Sequence, residues 1–113
     1  MSTVGPLPTP QPGGFTAADL SRLFEVVDAR FEILDGEVRI MPPPTHWHDE
    51  AVDRLKRALR EIAPGSVVVV REKSLDLGGF VPVPDVLAVS RTAVTSGSLV
   101  FQPPDVHLVI EVM

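Results

Sequence analysis

"SVVVVREKSLDLGGFVPVPDVLAVS", residues 66–90, decides how the chain folds. Two valine-rich runs flank Gly78-Gly79, a turn dipeptide in which neither residue resists positive φ. The stretch therefore reads as a β-hairpin whose second arm is an inner strand. That arm carries an anomaly, since Pro84 and then Asp85 stand at the mouth of its apolar run. With an even two-residue turn, Glu72 lies opposite Asp85. A slip of one residue would turn every side chain to the other face.

Working outward, "THWHDEAVDRLKRALREIAPG" (45–65) has the pattern of an amphipathic helix. Thr45 is placed to cap it, and Asp49 and Glu50 fall in the first turn, where the helix dipole favours acids. Val52, Leu55, Leu59 and Ile62 form the apolar stripe, and Pro64-Gly65 ends it. Arg54, Lys56, Arg57 and Arg60 make the outer face basic. That face suits both a solvated surface and contacts to nucleic-acid phosphates. "RFEILDGEVRIMPPP" (30–44) predicts a first hairpin around Asp35-Gly36, pairing Phe31 with Ile40, Glu32 with Arg39, Ile33 with Val38 and Leu34 with Glu37. "FTAADLSRLFEVV" (15–27) predicts a short helix with Thr16 and Asp19 in a capping box and Leu20, Leu23 and Phe24 on one face. Residues 1–14, rich in Pro and Gly, read as a disordered arm. "RTAVTSGSLVFQPP" (91–104) reads as a loop, and "DVHLVIEVM" (105–113) as a last strand. The order is helix, hairpin, helix, hairpin, strand: one α+β domain over 15–113 with its main sheet after the long helix.

Composition narrows the function. The 113 residues hold no cysteine, so no disulfide frame and no thiolate metal site is expected. Nothing resembles a secretory leader or a membrane span, which points to the cytoplasm. A formal net charge of −5 speaks against an extended phosphate-binding surface but allows acids that hold a cation. The chain stops at "VIEVM", inside an apolar run, which suggests a fragment of a longer protein or a face covered by a partner.

Two acids stand in aliphatic surroundings, Asp85 and Glu111. Buried carboxylates brought together repel, and a hard divalent cation such as Mg²⁺ or Mn²⁺ removes that cost. The bland alternative is that each acid ends its strand facing water or pairs with an arginine. Glu32 and Arg39, opposite each other, fit a cross-strand ion pair as well as they fit a site. His48 shares the helical line of Val52, Leu55 and Leu59 and points to the core or a cleft. His46 and His107 have no comparable placement.

The ordered set "FEILDGEVRIMPPPTHWHDEAVDRLKRAL", "VPVPDVLAVS" and "PPDVHLVIEV" resembles the Uma family of restriction endonucleases, within the PD-(D/E)XK nuclease superfamily. The likeness runs from about Phe15 to the last residue. It implies a restriction-endonuclease-like core, a mixed sheet flanked by helices, with an added N-terminal helix and hairpin and the last elements missing. It also implies metal-dependent cleavage of DNA. Carried over, Asp85 and Glu111 are the metal-binding acids, and Glu32 and His48 join them as catalytic-site residues. The motif's lysine is absent, because Met113 stands where it belongs; Lys73 is a weak substitute. A nuclease scaffold without catalysis, serving as a binding module or pairing with a second copy through its open sheet edge, is the alternative.

Overall fold

The computed structural model describes residues 6–113. Of the expected disordered arm, residues 1–5 lie outside the described residues. Residues 11–14 make a turn, the Gly14 amide donating to the Gln11 carbonyl at 2.8 Å. The next residue docks on the first hairpin, the Phe15 amide donating to the Gly36 carbonyl at 2.8 Å.

A 3₁₀ turn at Ala17–Asp19 leads into α1 (Leu20–Val26). The Thr16 hydroxyl accepts from the Ala18 amide, and the Asp19 carboxylate accepts from the Thr16 amide at 2.8 Å, closing the expected capping box. Asp19 is buried, and that amide, with Arg22 beside it, holds its carboxyl below the usual range. β1 (Phe31–Leu34) and β2 (Glu37–Ile40) pair in the register the sequence predicts, with Asp35 and Gly36 at positive φ. Leu20 and Leu23 bury against Phe15, Phe31 and Ile33, whereas Phe24 remains half-exposed with its ring 5.3 Å from that of Phe31.

Thr45 caps α2 (His46–Ile62) as expected, its hydroxyl accepting from the His48 amide. Val52 is fully buried, and Leu55 and Leu59 flank it, but Ile62 is 79% exposed. The stripe closes one turn early because Ala63, at the C-cap, takes the contact with the core as the chain turns back.

The second hairpin forms in its even register. β3 (Val67–Arg71) pairs antiparallel with β6 (Val86–Ser90), from Val67 opposite Ser90 to Arg71 opposite Val86. The same alignment continues outward. The Glu72 amide donates to the Asp85 carbonyl at 3.2 Å, Leu75 to Pro82 at 3.0 Å and Leu77 to Phe80 at 2.9 Å. Pro82 and Pro84 cannot donate to that ladder, and the hairpin's outer half divides there. β4 (Ser74–Leu75) pairs in parallel with β7 (Val100–Phe101), while β5 (Phe80–Val81) joins β1. The stretch expected to be a loop therefore contains a short helix, α3 (Arg91–Thr95), and strand β7. The last strand, β8 (Val106–Ile110), pairs antiparallel with β6 and ends one residue before Glu111.

The result is a mixed α+β fold with three small sheets, ordered β2-β1-β5, β3-β6-β8 and β4-β7. The parallel pairing lies in its own two-stranded sheet rather than inside the main one. β6 is the axis. Val86 faces α2 with Val52 and Val69, while Leu87 and Val89 face Leu75 on the other side. A strand buried on both faces explains why 86–89 read as an unbroken apolar run. Among the described residues no helix is long and apolar enough to cross a membrane.

Gly14 and Gly36 meet backbone to backbone. A Cβ on Gly14 would come within 2.6 Å of the Gly36 Cα, and Gly14 already has φ +92°. Gly14→Ala is expected to destabilise the fold by about 1–3 kcal/mol, through both strain and clash. Gly65→Ala, where a Cβ meets nothing within 4 Å, should be near neutral. Urea denaturation of the two variants checks the contrast.

Candidate functional site

Asp85 is only 4% exposed. Pro84 fixes the backbone before it, and β6 begins immediately after it, so the carboxylate projects from the stiff end of the central strand. Both of its oxygens are engaged. Oδ2 accepts from the Val112 amide at 2.7 Å. Oδ1 lies 3.1 Å from His48 Nε2 and 3.6 Å from the Arg30 guanidinium.

Each partner comes from a different element. Val112 follows β8, which β6 holds in register. His48 sits in the first turn of α2, on the line of Val52 that packs against Val86. Arg30 precedes β1, and its carbonyl accepts from the Met41 amide at 2.8 Å, pinning it to the end of the first hairpin. Two buried polar atoms here lack partners, Arg30 Nε and His48 Nδ1.

Glu111, just beyond β8, brings a second carboxyl to this point although the residue stays largely exposed. Its pKa is raised, first by partial burial and then by the charge of Asp85 and a hydrogen bond to it. The charge of Glu32 adds to the rise, and Arg30 opposes it. Glu32 thus belongs electrostatically to the same centre. The expected ion pair with Arg39 does not form among the described residues: the two are strand neighbours, yet no contact joins their charges. So Asp85, Glu111, Glu32 and His48, separated widely in the chain, converge on one region.

The other acids and bases fall into a supporting network. Glu72, at φ 54°, leaves the extended conformation as β3 ends and sends its carboxylate to Arg71 at 2.9 Å and Arg30 at 3.5 Å. It is opposite Asp85, as the even turn requires, but its oxygen is bound by two guanidiniums rather than free as a ligand. Arg71 also reaches Asp49 at 3.0 Å and Asp53 at 2.5 Å on α2, clamping the helix to β3. Its guanidinium is held above its ordinary pKa chiefly by the hydrogen bond to Glu72. Lys73, the weak substitute for the motif's lysine, makes no ion pair among the described residues and does not reach Asp85. His107 bonds Ser90 at 3.0 Å, on the far end of β6.

Arg30 is the residue the sequence does not disclose. It sits alone in "DARF" without periodicity, and only its position before a well-registered hairpin could have suggested it. No group of three or more His, Cys, Asp or Glu side chains is disposed to hold a metal ion among the described residues. The donors that do meet, Asp85 and Glu111, are oxygen-only and mutually repelling, a pair whose chemistry suits a hard cation completed by water and substrate oxygens.

Arg30→Met is expected to cost about 1–3 kcal/mol in urea unfolding, because it strips a partner from a buried carboxylate that keeps two others. Glu111 has the opposite sign. Its folded pKa is raised, so its contribution to stability is intact below the ordinary glutamate pKa and is lost as pH rises through the raised value. Glu111→Gln should remove that loss, leaving the variant more stable than the parent at neutral pH in the absence of metal. Thermal unfolding across pH 4–8 reads the difference.

Comparison with known proteins adds one finding. No curated protein and no solved structure matches the chain. A family model described as "Putative restriction endonuclease" matches residues 17–113, which spans every element of the fold from the first turn to the acid after β8. The chain belongs to the Uma2 family.

Proposed function

We propose that residues 15–113 form a restriction-endonuclease-like domain that hydrolyses phosphodiester bonds in DNA, with Mg²⁺ or Mn²⁺ held by Asp85 and Glu111. Glu32 and His48 complete the site, and the protein acts in the cytoplasm. What carries this reading is the meeting of Asp85 and Glu111 at the adjoining ends of β6 and β8, where Asp85 is buried and the Glu111 carboxyl is held above its ordinary pKa by partial burial and then by the charge of Asp85. Family membership supports the reaction class.

The chain's own residues supply rigidity and charge. The Val112 amide and His48 fix the Asp85 carboxylate, leaving its direction independent of side-chain entropy. His48 turns Nε2 to Asp85 at 3.1 Å and leaves Nδ1 without a partner, so it acts by positioning the acid. Arg30 offsets the negative charge of the cluster before any cation arrives. A divalent cation bound by the two acids would supply Lewis-acid charge to a phosphate oxygen and to a water.

A second reading has a specific observation behind it. Both oxygens of Asp85 already have protein partners, and Arg30 already offsets part of the cluster's charge. That state suits a nuclease scaffold that binds without cleaving. β8 is an edge strand of the main sheet, with Leu108 and Val109 exposed, so pairing with a second copy belongs to this reading.

Calorimetric titration with Mg²⁺ and Mn²⁺, beside cleavage of supercoiled plasmid, separates the two. The nuclease reading expects metal binding weakened more than about tenfold by Asp85→Asn and by Glu111→Gln, and by about tenfold in His48→Asn as an outer-shell change. Plasmid nicking should vanish with the first two. Metal binding and nicking both absent in the parent chain would leave the binding module standing, and size exclusion over a range of concentrations would then test β8 pairing.

A further inference from the structure

A cavity of about 550 Å³ opens beside the acidic centre, sharing Arg30 with it. Its walls are largely apolar and in part aromatic, with Phe24 from α1, Leu99 from the loop before β7 and Phe101 from β7 itself, while Asp28 and Glu72 line it beside the cations Arg30 and Lys73. Phe24 and Leu99 are exposed there, as apolar and aromatic side chains lining a ligand pocket commonly are. Two polar groups face it unspent. Ser74 is 5% exposed, yet its hydroxyl makes no hydrogen bond among the described residues. Lys73, at the rim, makes no ion pair among the described residues.

An apolar slot with an unpaired hydroxyl in its wall and an unpaired ammonium at its mouth matches a ligand that is flat and apolar at one end and anionic at the other. We propose that this cavity is a nucleotide subsite, which takes an unstacked base of the substrate strand between Phe101 and Leu99 while Lys73 contacts its phosphate. The inference rests on the nuclease reading for the identity of the ligand and deepens it. A base inside the cavity has left the duplex stack, so the substrate at the cleavage point is a single strand or a strand with one nucleotide extruded. The geometry accounts for features that the acidic centre does not use: the free hydroxyl of a buried serine, the free rim lysine and the uncovered Phe24 and Leu99. The volume lies within the usual range for small-molecule sites, about 300–1,000 Å³, and exceeds what water alone needs.

The test uses the full chain without metal, so it does not depend on catalysis. Thymidine 5′-monophosphate, thymidine and inorganic phosphate are titrated separately, following backbone amide shifts by nuclear magnetic resonance. Saturable binding of the mononucleotide with a dissociation constant of about 1 mM is expected, with shifts at Lys73 to Leu75 and Leu99 to Phe101. Thymidine should bind more weakly and phosphate weakest. Lys73→Glu should weaken the mononucleotide about tenfold and leave thymidine unchanged, the loss expected for one charge contact. Leu99→Trp fills the slot from a residue 53% exposed and should abolish both. No saturable mononucleotide binding up to about 10 mM, phosphate binding as tightly as the mononucleotide, or binding indifferent to Leu99→Trp would each overturn the proposal. Loss of metal binding in the parent chain would sink the nuclease reading while leaving these outcomes readable.

Discussion

A carboxylate as deeply buried as Asp85 has to be compensated, and the compensation organises this molecule. Its three partners are delivered by three separate parts of the fold: the backbone after β8, the first turn of α2 and the residue before β1. None can reach Asp85 unless its own element is docked. The central sheet, the long helix and the N-terminal hairpin are thereby coupled through one acid. Arg71 makes a parallel connection at the next position along β3, tying Asp49 and Asp53 of α2 to Glu72. The two networks share Glu72 and Arg30, so the charges form one continuous layer between the sheet and the helix. Such a layer is weak evidence for stability in itself, since apolar packing of the same volume would serve as well. A charged group at the end of the most buried strand costs more to bury than an apolar side chain would, which argues for a role beyond folding.

How much of this was legible in the sequence depended on range. The first hairpin was readable to the residue because Asp35-Gly36 fixes a two-residue turn, and a turn fixes its register. For the second hairpin Gly78-Gly79 located the turn but left the register open by one residue, and the structure takes the even alternative. The termini of α2 and the capping box at Thr16 were legible because they are local hydrogen-bond problems with few solutions. β4 and β7 were not legible. Each has two residues, too few to show a period, and their pairing depends on where Pro82 and Pro84 divide the hairpin. Ile62 followed the helical period faithfully and was still left in solvent, because the period gives a direction and not a partner.

The candidate site divides along the same line. Asp85 and Glu111 could be paired in advance because an ordered motif named them, and the register of β6 with β8 brings their positions together. Glu32 could be named but not interpreted. Its strand neighbour Arg39 offered a ready ion pair, but that pair does not form among the described residues, and the charge of Glu32 is instead felt at Glu111 as a repulsion that raises its pKa. Strand pairing brings the two Cα atoms opposite each other, and that alone does not bring the charged ends of long side chains together. Arg30 lay beyond reach altogether. A single cation in a short connector has no spacing to read, and its value arises only when three elements have been assembled around it.

Arg30 also joins the two concave features of the surface. On one side its guanidinium leans on Asp85 and Glu72; on the other it lines the apolar cavity walled by Phe24, Leu99 and Phe101. Its Nε is buried without a partner, so the side chain is held by its charge contacts rather than by a completed set of hydrogen bonds. An anion entering from the cavity side would meet that guanidinium on the wall it shares with the acidic centre. The arrangement places an acidic pair, a cation and an apolar slot in sequence along one wall.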